Sequence, residues 1–363
     1  MVRSSLHDVL ATGVAEGASD WHIREDSNVV LRVDGGLVEV DFLTSRDFLE
    51  RVLTEIVDAS DMEDYRKTGD ADFAFEEDGV GRFRANLHRQ RGKMGLTLRF
   101  VKGKVPNIDE LNLPGVLRLI AESNNGIVFV TGTTGSGKST TLAGMIDHMN
   151  TKLSRHIITI EDPIEYTFKD GTSVIEQREV GLDAETFNSA LVHSLRQDPD
   201  VIIIGEMRNT ETFETALAAA ETGHLVMTTL HTKDAAQSIS RILDMYPNDQ
   251  RDSIRNSLAT SLRAIICQRL VPRATGKGVV PVTEILISTP IVRKLIAENR
   301  LTKLPSAIEG GEDDGMVSFN KCLLKLVNDG VITEDAALAT SDNPQALKMN
   351  LKGIFLSDGG IIT

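Results

Sequence analysis

Gly132-Thr133-Thr134-Gly135-Ser136-Gly137-Lys138-Ser139 lies between an apolar run, Ile127 to Val130, and a segment in which Leu142, Met145, Ile146 and Met149 recur at helical spacing. The octapeptide has the form G-x-x-x-x-G-K-[ST], and a strand before it with a helix after it is the setting in which that pattern binds phosphate. Its glycines let the backbone approach phosphate oxygens, and the amides that open the helix point at them. Gly132, Thr133, Thr134, Gly135, Ser136, Gly137, Lys138, Ser139 and Thr140 are therefore the expected nucleotide-binding residues. Lys138 is expected to neutralise β- and γ-phosphate charge and the Ser139 hydroxyl to ligate Mg²⁺, with Thr140 in support, so that ATP and Mg²⁺ are the expected cofactors.

Downstream, short apolar runs alternate with helical patterns. Ile157 to Ile160, Val201 to Ile204 and Leu225 to Met227 have the length of buried parallel strands, and the rhythm is that of an α/β sheet. Three of its segments carry chemistry. Glu161, Asp162 and Glu165 follow a strand, where they could orient an attacking water. In Asp198 to Arg208 an apolar strand ends in an acid, but Gly205 stands where the Mg²⁺-linked aspartate of the second nucleotide motif is usual. Glu206 is therefore expected to take the metal-side role through water. His224 and His231 bracket a further strand, an arrangement that suggests a γ-phosphate sensor.

Upstream, Val29 to Val33 and Leu37 to Val40 flank Asp34-Gly35-Gly36, a hairpin signal. Phe83, Ala85 and Leu87 alternate with Arg82, Arg84, Asn86 and His88, and Leu96, Leu98 and Phe100 alternate around Arg99. Both strands bury one face and direct arginines from the other. A small α+β unit over residues 1–101 is expected, then a linker over 102–114 around Gly103, Pro106 and Pro114. The ATPase core is expected over 115–275 and a helical region over 276–363, where Phe319, Leu323, Leu326 and Val327 keep one face before Gly330.

The 363 residues include 39 Lys and Arg against 53 Asp and Glu, a net charge of −14, which speaks against a general nucleic-acid binder. Cys267 and Cys322 are the only cysteines, too few for a disulfide framework or a four-thiolate zinc site and in keeping with a reducing setting. No secretory signal and no stretch long and apolar enough to span a bilayer is read, so any membrane role is expected to be peripheral.

Taken with Ser19-Asp20-Trp21-His22-Ile23, these ordered boxes closely resemble the secretion-superfamily ATPases, and most closely the type IV pilus retraction ATPases of the PilT and PilU kind. The resemblance covers nearly the whole chain. It implies a PAS-like N-terminal domain and a RecA-like P-loop ATPase domain with C-terminal helices, assembled as a homohexameric ring. By position, Glu165 corresponds to the catalytic glutamate of the acidic box, Glu206 to that of the second motif, and His224 and His231 to the histidine box. Arg84 and Arg99 correspond to N-terminal arginines that help to complete the nucleotide site. The implied setting is the cytoplasmic face of the inner membrane, against a pilus platform protein. Extension ATPases typically add an N-terminal domain and a four-cysteine zinc insertion, so two cysteines favour retraction. Ile291-Val292-Arg293-Lys294-Leu295-Ile296 departs from the Ala-Ile-Arg-Asn-Leu-Ile helix of retraction motors, which leaves an accessory motor as an alternative, beside an extension or type II secretion ATPase. A DNA translocase is disfavoured by the net charge, and a non-hydrolysing switch by Glu165 and Glu206.

Overall fold

In the computed structural model, which describes residues 6–33, 35–101, 103 and 105–354, the chain forms two compact units. The first is residues 1–104 with Ile164–Thr167, and the second is Val105–Pro163 with Phe168–Thr363.

The first unit runs α1 (Leu6–Ala15), β1 (Ala18–Arg24), β2 (Ser27–Val33), β3 (Gly36–Thr44), α2 (Arg46–Ile56), α3 (Ala59–Thr68), β4 (Asp70–Glu77), β5 (Gly81–Gln90) and β6 (Lys93–Phe100). Its strands form one antiparallel sheet in the order β3-β2-β1-β6-β5-β4. The alternation read from the sequence holds: Phe83, Ala85, Leu87, Leu96 and Leu98 are buried, whereas Arg99 is exposed. Trp21 is the anchor of this core, fully buried, with its indole N–H donating to the Val9 carbonyl at 3.2 Å. Gly13 on α1 makes room for it, because a Cβ there would lie 2.5 Å from the indole ring. Ser45 and Asp58 cap the starts of α2 and α3 through their side-chain oxygens, which fixes where each helix begins.

The second unit opens with α4 (Val116–Ala121) and β7 (Gly126–Thr131), then α5 (Lys138–Lys152), β8 (His156–Glu161), β9 (Val174–Glu179) and α6 (Phe187–Ser194). It continues through β10 (Val201–Ile204), α7 (Thr210–Glu221), β11 (Leu225–Leu230), α8 (Ala235–Asp244), α9 (Asn248–Ser261), β12 (Leu262–Pro272) and β13 (Val279–Ile287). Helices α10 (Pro290–Ala297), α11 (Leu304–Gly310), α12 (Phe319–Asn328), α13 (Glu334–Thr340) and α14 (Pro344–Leu351) complete it. The sheet order is β13-β12-β7-β11-β10-β8-β9, parallel except for β13. Every residue of β7, β10 and β11 is buried, as strands covered on both faces must be. One face packs on α4 and α5, the other on α6 to α9 and the C-terminal helices.

Two expectations change here. Val279–Ile287, within the stretch expected to be helical, is a strand paired along its length with β12. A short apolar run does not reveal its period, and β-branched Val279, Val280, Val282 and Thr283 are at home on a pleated surface. In the stretch expected as linker, Ile108 and Leu113 are buried in the α4–α5 side of the second core. The Asn107 side-chain oxygen accepts from the amides of Asp109 and Glu110, so the Pro and Gly signals there mark a packed turn. Gly330, expected just past a helix end, follows α12 with φ +69°, the left-handed conformation glycine supplies. Lys102 and Lys104 of the expected linker, and the last nine residues of the expected C-terminal region, lie outside the described residues. Among the described residues no helix is long and apolar enough to cross a membrane.

Candidate active site

The phosphate loop leaves the centre of the sheet at the carboxyl end of β7, where open α/β sheets bind ligands. Gly132, Gly135 and Gly137 all have positive φ, so the turn depends on them. A Cβ at Gly132 would lie 2.5 Å from the Gln268 carbonyl oxygen, and one at Gly137 2.8 Å from the Gln268 side-chain nitrogen. Gly137 starts α5 with no side-chain cap, so the first amides of this helix keep their donors for a ligand. Lys138 is buried, and its ammonium donates to the carbonyls of Gly132 at 3.0 Å and Thr133 at 3.1 Å. The cation is thus held within the loop, where a phosphate oxygen can exchange for these neutral acceptors.

Glu206, just past β10, stands at the same sheet edge. One of its oxygens pairs with the Arg208 guanidinium at 2.8 Å and the other with His231 Nε2 at 3.3 Å. The Arg208 hydrogen bond outweighs the opposing effect of burial and, helped by the fields of His231 and Lys138, holds the Glu206 carboxyl below its usual range. Glu206 thus contacts His231 and lies within the field of the loop lysine. Thr229 Oγ1 donates to the Gly205 carbonyl at 2.6 Å, tying β11 to the turn that carries Glu206.

His224 does not join them. It precedes β11, its carbonyl accepting from Gly126 at the start of β7, and its Nδ1 donates to the Ala219 carbonyl at 3.0 Å. A parallel strand rising about 3.3 Å per residue puts His224 and His231 about 23 Å apart, beyond opposite ends of β11. A phosphate sensor built from both histidines of one chain is excluded by that strand.

The acidic box also divides. Glu161 is occupied structurally, accepting from Thr159 Oγ1 at 2.7 Å and Gln177 Nε2 at 3.2 Å. Asp162 lies within the field of Arg208, and Glu165 belongs to the first unit. Arg84 and Arg99 also belong to that unit, directly opposite each other on β5 and β6 and away from its apolar face. Arg99 Nε donates to Asp20 at 2.7 Å, with 65% of the arginine side chain exposed against 8% of the aspartate. Burial works to raise the Asp20 carboxyl, but hydrogen bonds from Ser19 and Arg99 overcome it and leave it lowered, an ionised anchor for an exposed cation.

Hard oxygen donors suit Mg²⁺, and the Ser139 hydroxyl on the first turn of α5 and the ionised Glu206 are of that kind. The donor chemistry fits the ion. Sequence reasoning passed over Gln268, whose side chain joins Ser136 to Thr141, although a glutamine inside the apolar alternation of β12 is itself a signal.

It also passed over Glu284, opposite Cys267 on β13. Burial pushes the Glu284 carboxyl up from 4.5 to about 7, despite a hydrogen bond from the Ala235 amide at 3.0 Å. A raised carboxylate binds its proton more tightly when folded, so the second unit loses stability as pH rises from about 4.5 through 7. Glu284→Gln keeps the acceptor for Ala235 and removes the charge. It should leave stability at about pH 4 nearly unchanged and raise it at pH 8 by up to roughly 3 kcal/mol. Urea unfolding at the two pH values checks this, and a variant no more stable at pH 8 refutes it.

Residues 1–292 match the type II/IV secretion system protein family. The chain is 39% identical over 341 residues to the type IV pilus retraction ATPase PilT of Pseudomonas aeruginosa, covering 94% of this chain and 99% of that protein. It is 38% identical to the type IV pilus ATPase PilU of the same organism, over 93% of this chain and 89% of that one. Among solved structures, the pilus retraction motor PilT with bound ADP superposes with a TM-score of 0.86 at 41% identity, covering 95% of this chain and 99% of the other.

Proposed function

Because the chain belongs to the type II/IV secretion system protein family, we propose that it is a motor ATPase that retracts type IV pili. One observation carries the chemistry: a phosphate loop with its lysine, an ionised Glu206 and His231 meet at the carboxyl ends of β7, β10 and β11. The loop amides and Lys138 bind and orient the triphosphate. Glu206, kept in its basic form by Arg208, orients the attacking water and accepts its proton, while His231 on its other oxygen limits its rotation. Ser139 and, through water, Glu206 would hold Mg²⁺, which when bound neutralises charge on the β- and γ-phosphates.

The working form is a homohexamer at the cytoplasmic face of the inner membrane, engaging a pilus platform protein. In it Glu165, Arg84 and Arg99 of the first unit complete nucleotide sites, and His224 acts at a distance from the phosphates of its own chain. This part of the reading rests on the ordered boxes and on full-length similarity to PilT. Of the expected divisions 1–101, 102–114, 115–275 and 276–363, the working ATPase core takes in Ile108 and Leu113 from the second and strand β13 from the last, with the C-terminal helices after it. Of the three departures, Ile291 and Lys294 fall on the exposed side of α10, while Val292 is buried with the matching Leu295 and Ile296. They alter what that helix presents, and they bear on the choice between principal and accessory motor.

Deleting the gene should leave pili on the cell surface and abolish twitching, or weaken it under load. A bald strain that retains pilin in its cells would instead identify an extension motor.

A further inference from the structure

Two consecutive residues of β12 face opposite ways, and each grips a different part of the second unit. Gln268, 3% exposed, donates from Nε2 to the Ser136 carbonyl in the phosphate loop at 2.6 Å. Its Oε1 accepts from Thr141 Oγ1 on α5, also at 2.6 Å. The Ser136 carbonyl can only accept, so the orientation of the amide is fixed by chemistry. Main chain and side chain of this one residue thus floor the loop at both Gly132 and Gly137. Arg269 points to the other face. Its guanidinium lies 4.0 Å over the Phe319 ring of α12 and donates to the Thr340 carbonyl ending α13 at 2.8 Å and to Asp342 at 2.6 Å.

We propose that Gln268 is a positioning residue for the phosphate loop and that, with Arg269, it links the nucleotide state of that loop to helices α12 and α13. The physical basis is rigidity. A buried amide is costly to leave unpaired, so a loop that shifts around a phosphate carries Gln268 with it. Paired with β13 at both residues and with β7 as far as Cys267, β12 moves as a strand, and Arg269 moves with it. Neither residue touches the reacting atoms. The inference rests on the nucleotide-binding reading above and adds a route by which binding reaches the C-terminal helices.

The test uses the full chain and a fluorescent ADP. Gln268→Met, which keeps bulk and loses both bonds, should weaken ADP binding about tenfold, the scale of one lost net hydrogen bond. Thr141→Val attacks the same bridge from its other end, and the double variant should be little weaker than either single one. Arg269→Met should bind ADP within about twofold of wild type. Hydrogen exchange of residues 319–340 should slow on ADP binding in the wild type and not in Arg269→Met. A purely structural role would lower thermal stability without altering affinity among folded molecules. Wild-type affinity in folded Gln268→Met, or additive losses in the double variant, overturns the positioning role. An unchanged ADP response of residues 319–340 in Arg269→Met, or none in wild type, overturns the link. Failure of the wild type to bind ADP at all refutes the nucleotide reading itself.

Discussion

Lys138→Ala will lower phosphate release by at least about a hundredfold, the scale of removing a placed donor from developing anionic charge. The lysine is buried and already bonded to two carbonyls of its loop, so little side-chain freedom is left to lose when phosphate arrives. Alanine removes the charge from a pocket of backbone dipoles and shortens the loop's internal bracing at once. The expected pattern is weakened ATP binding together with lost turnover, read by equilibrium binding and a phosphate assay. Mixing these subunits with Arg99→Ala subunits should partly restore turnover, because an intact arginine from one chain can serve an intact loop in another. Wild-type release from Lys138→Ala would exclude this loop as the site, and mixtures no more active than their parts would deny Arg99 a role across an interface.

Glu206→Gln separates chemistry from binding. The amide keeps the shape and the acceptor that meets Arg208, but it cannot take a proton, so turnover should fall by about a hundredfold or more while ATP affinity stays measurable. Arg208 already lowers the carboxyl, hence Glu206 is ionised throughout the neutral range and its loss is not rescued by raising the pH. Glu165→Gln is expected to show the same split. If both glutamine variants turn over normally, neither carboxylate activates the water.

What the sequence disclosed was what is local. The loop and its flanks could be read because glycine spacing and buried-strand length are properties of neighbours in the chain, and β7, β8, β10 and β11 lie where the apolar runs predict. Gln268 escaped because its partners come from far upstream, Thr141 being 127 positions away, and no local pattern announces that pairing. Glu284 escaped likewise, being a lone acid in an apolar strand whose environment is created by Cys267 and the start of α8. The separation of His224 from His231 was within reach, since a fully extended segment between two residues cannot place both at one end. Reading the two histidines as a pair concealed the geometry of the strand between them.

The position of β7 in its sheet carries a consequence for how the protein is made. Its neighbours are β11 and β12, both of which follow it in the chain, so the phosphate loop cannot acquire its floor until Gln268 has been synthesised. At about 5–20 residues per second, that interval lasts on the order of ten seconds. The apolar strand stands without β11 until Leu230 is made and without the whole of β12 until the interval ends, while the first unit, whose sheet is complete by Phe100, is free to fold. Truncations that end before β12 should therefore yield insoluble chains.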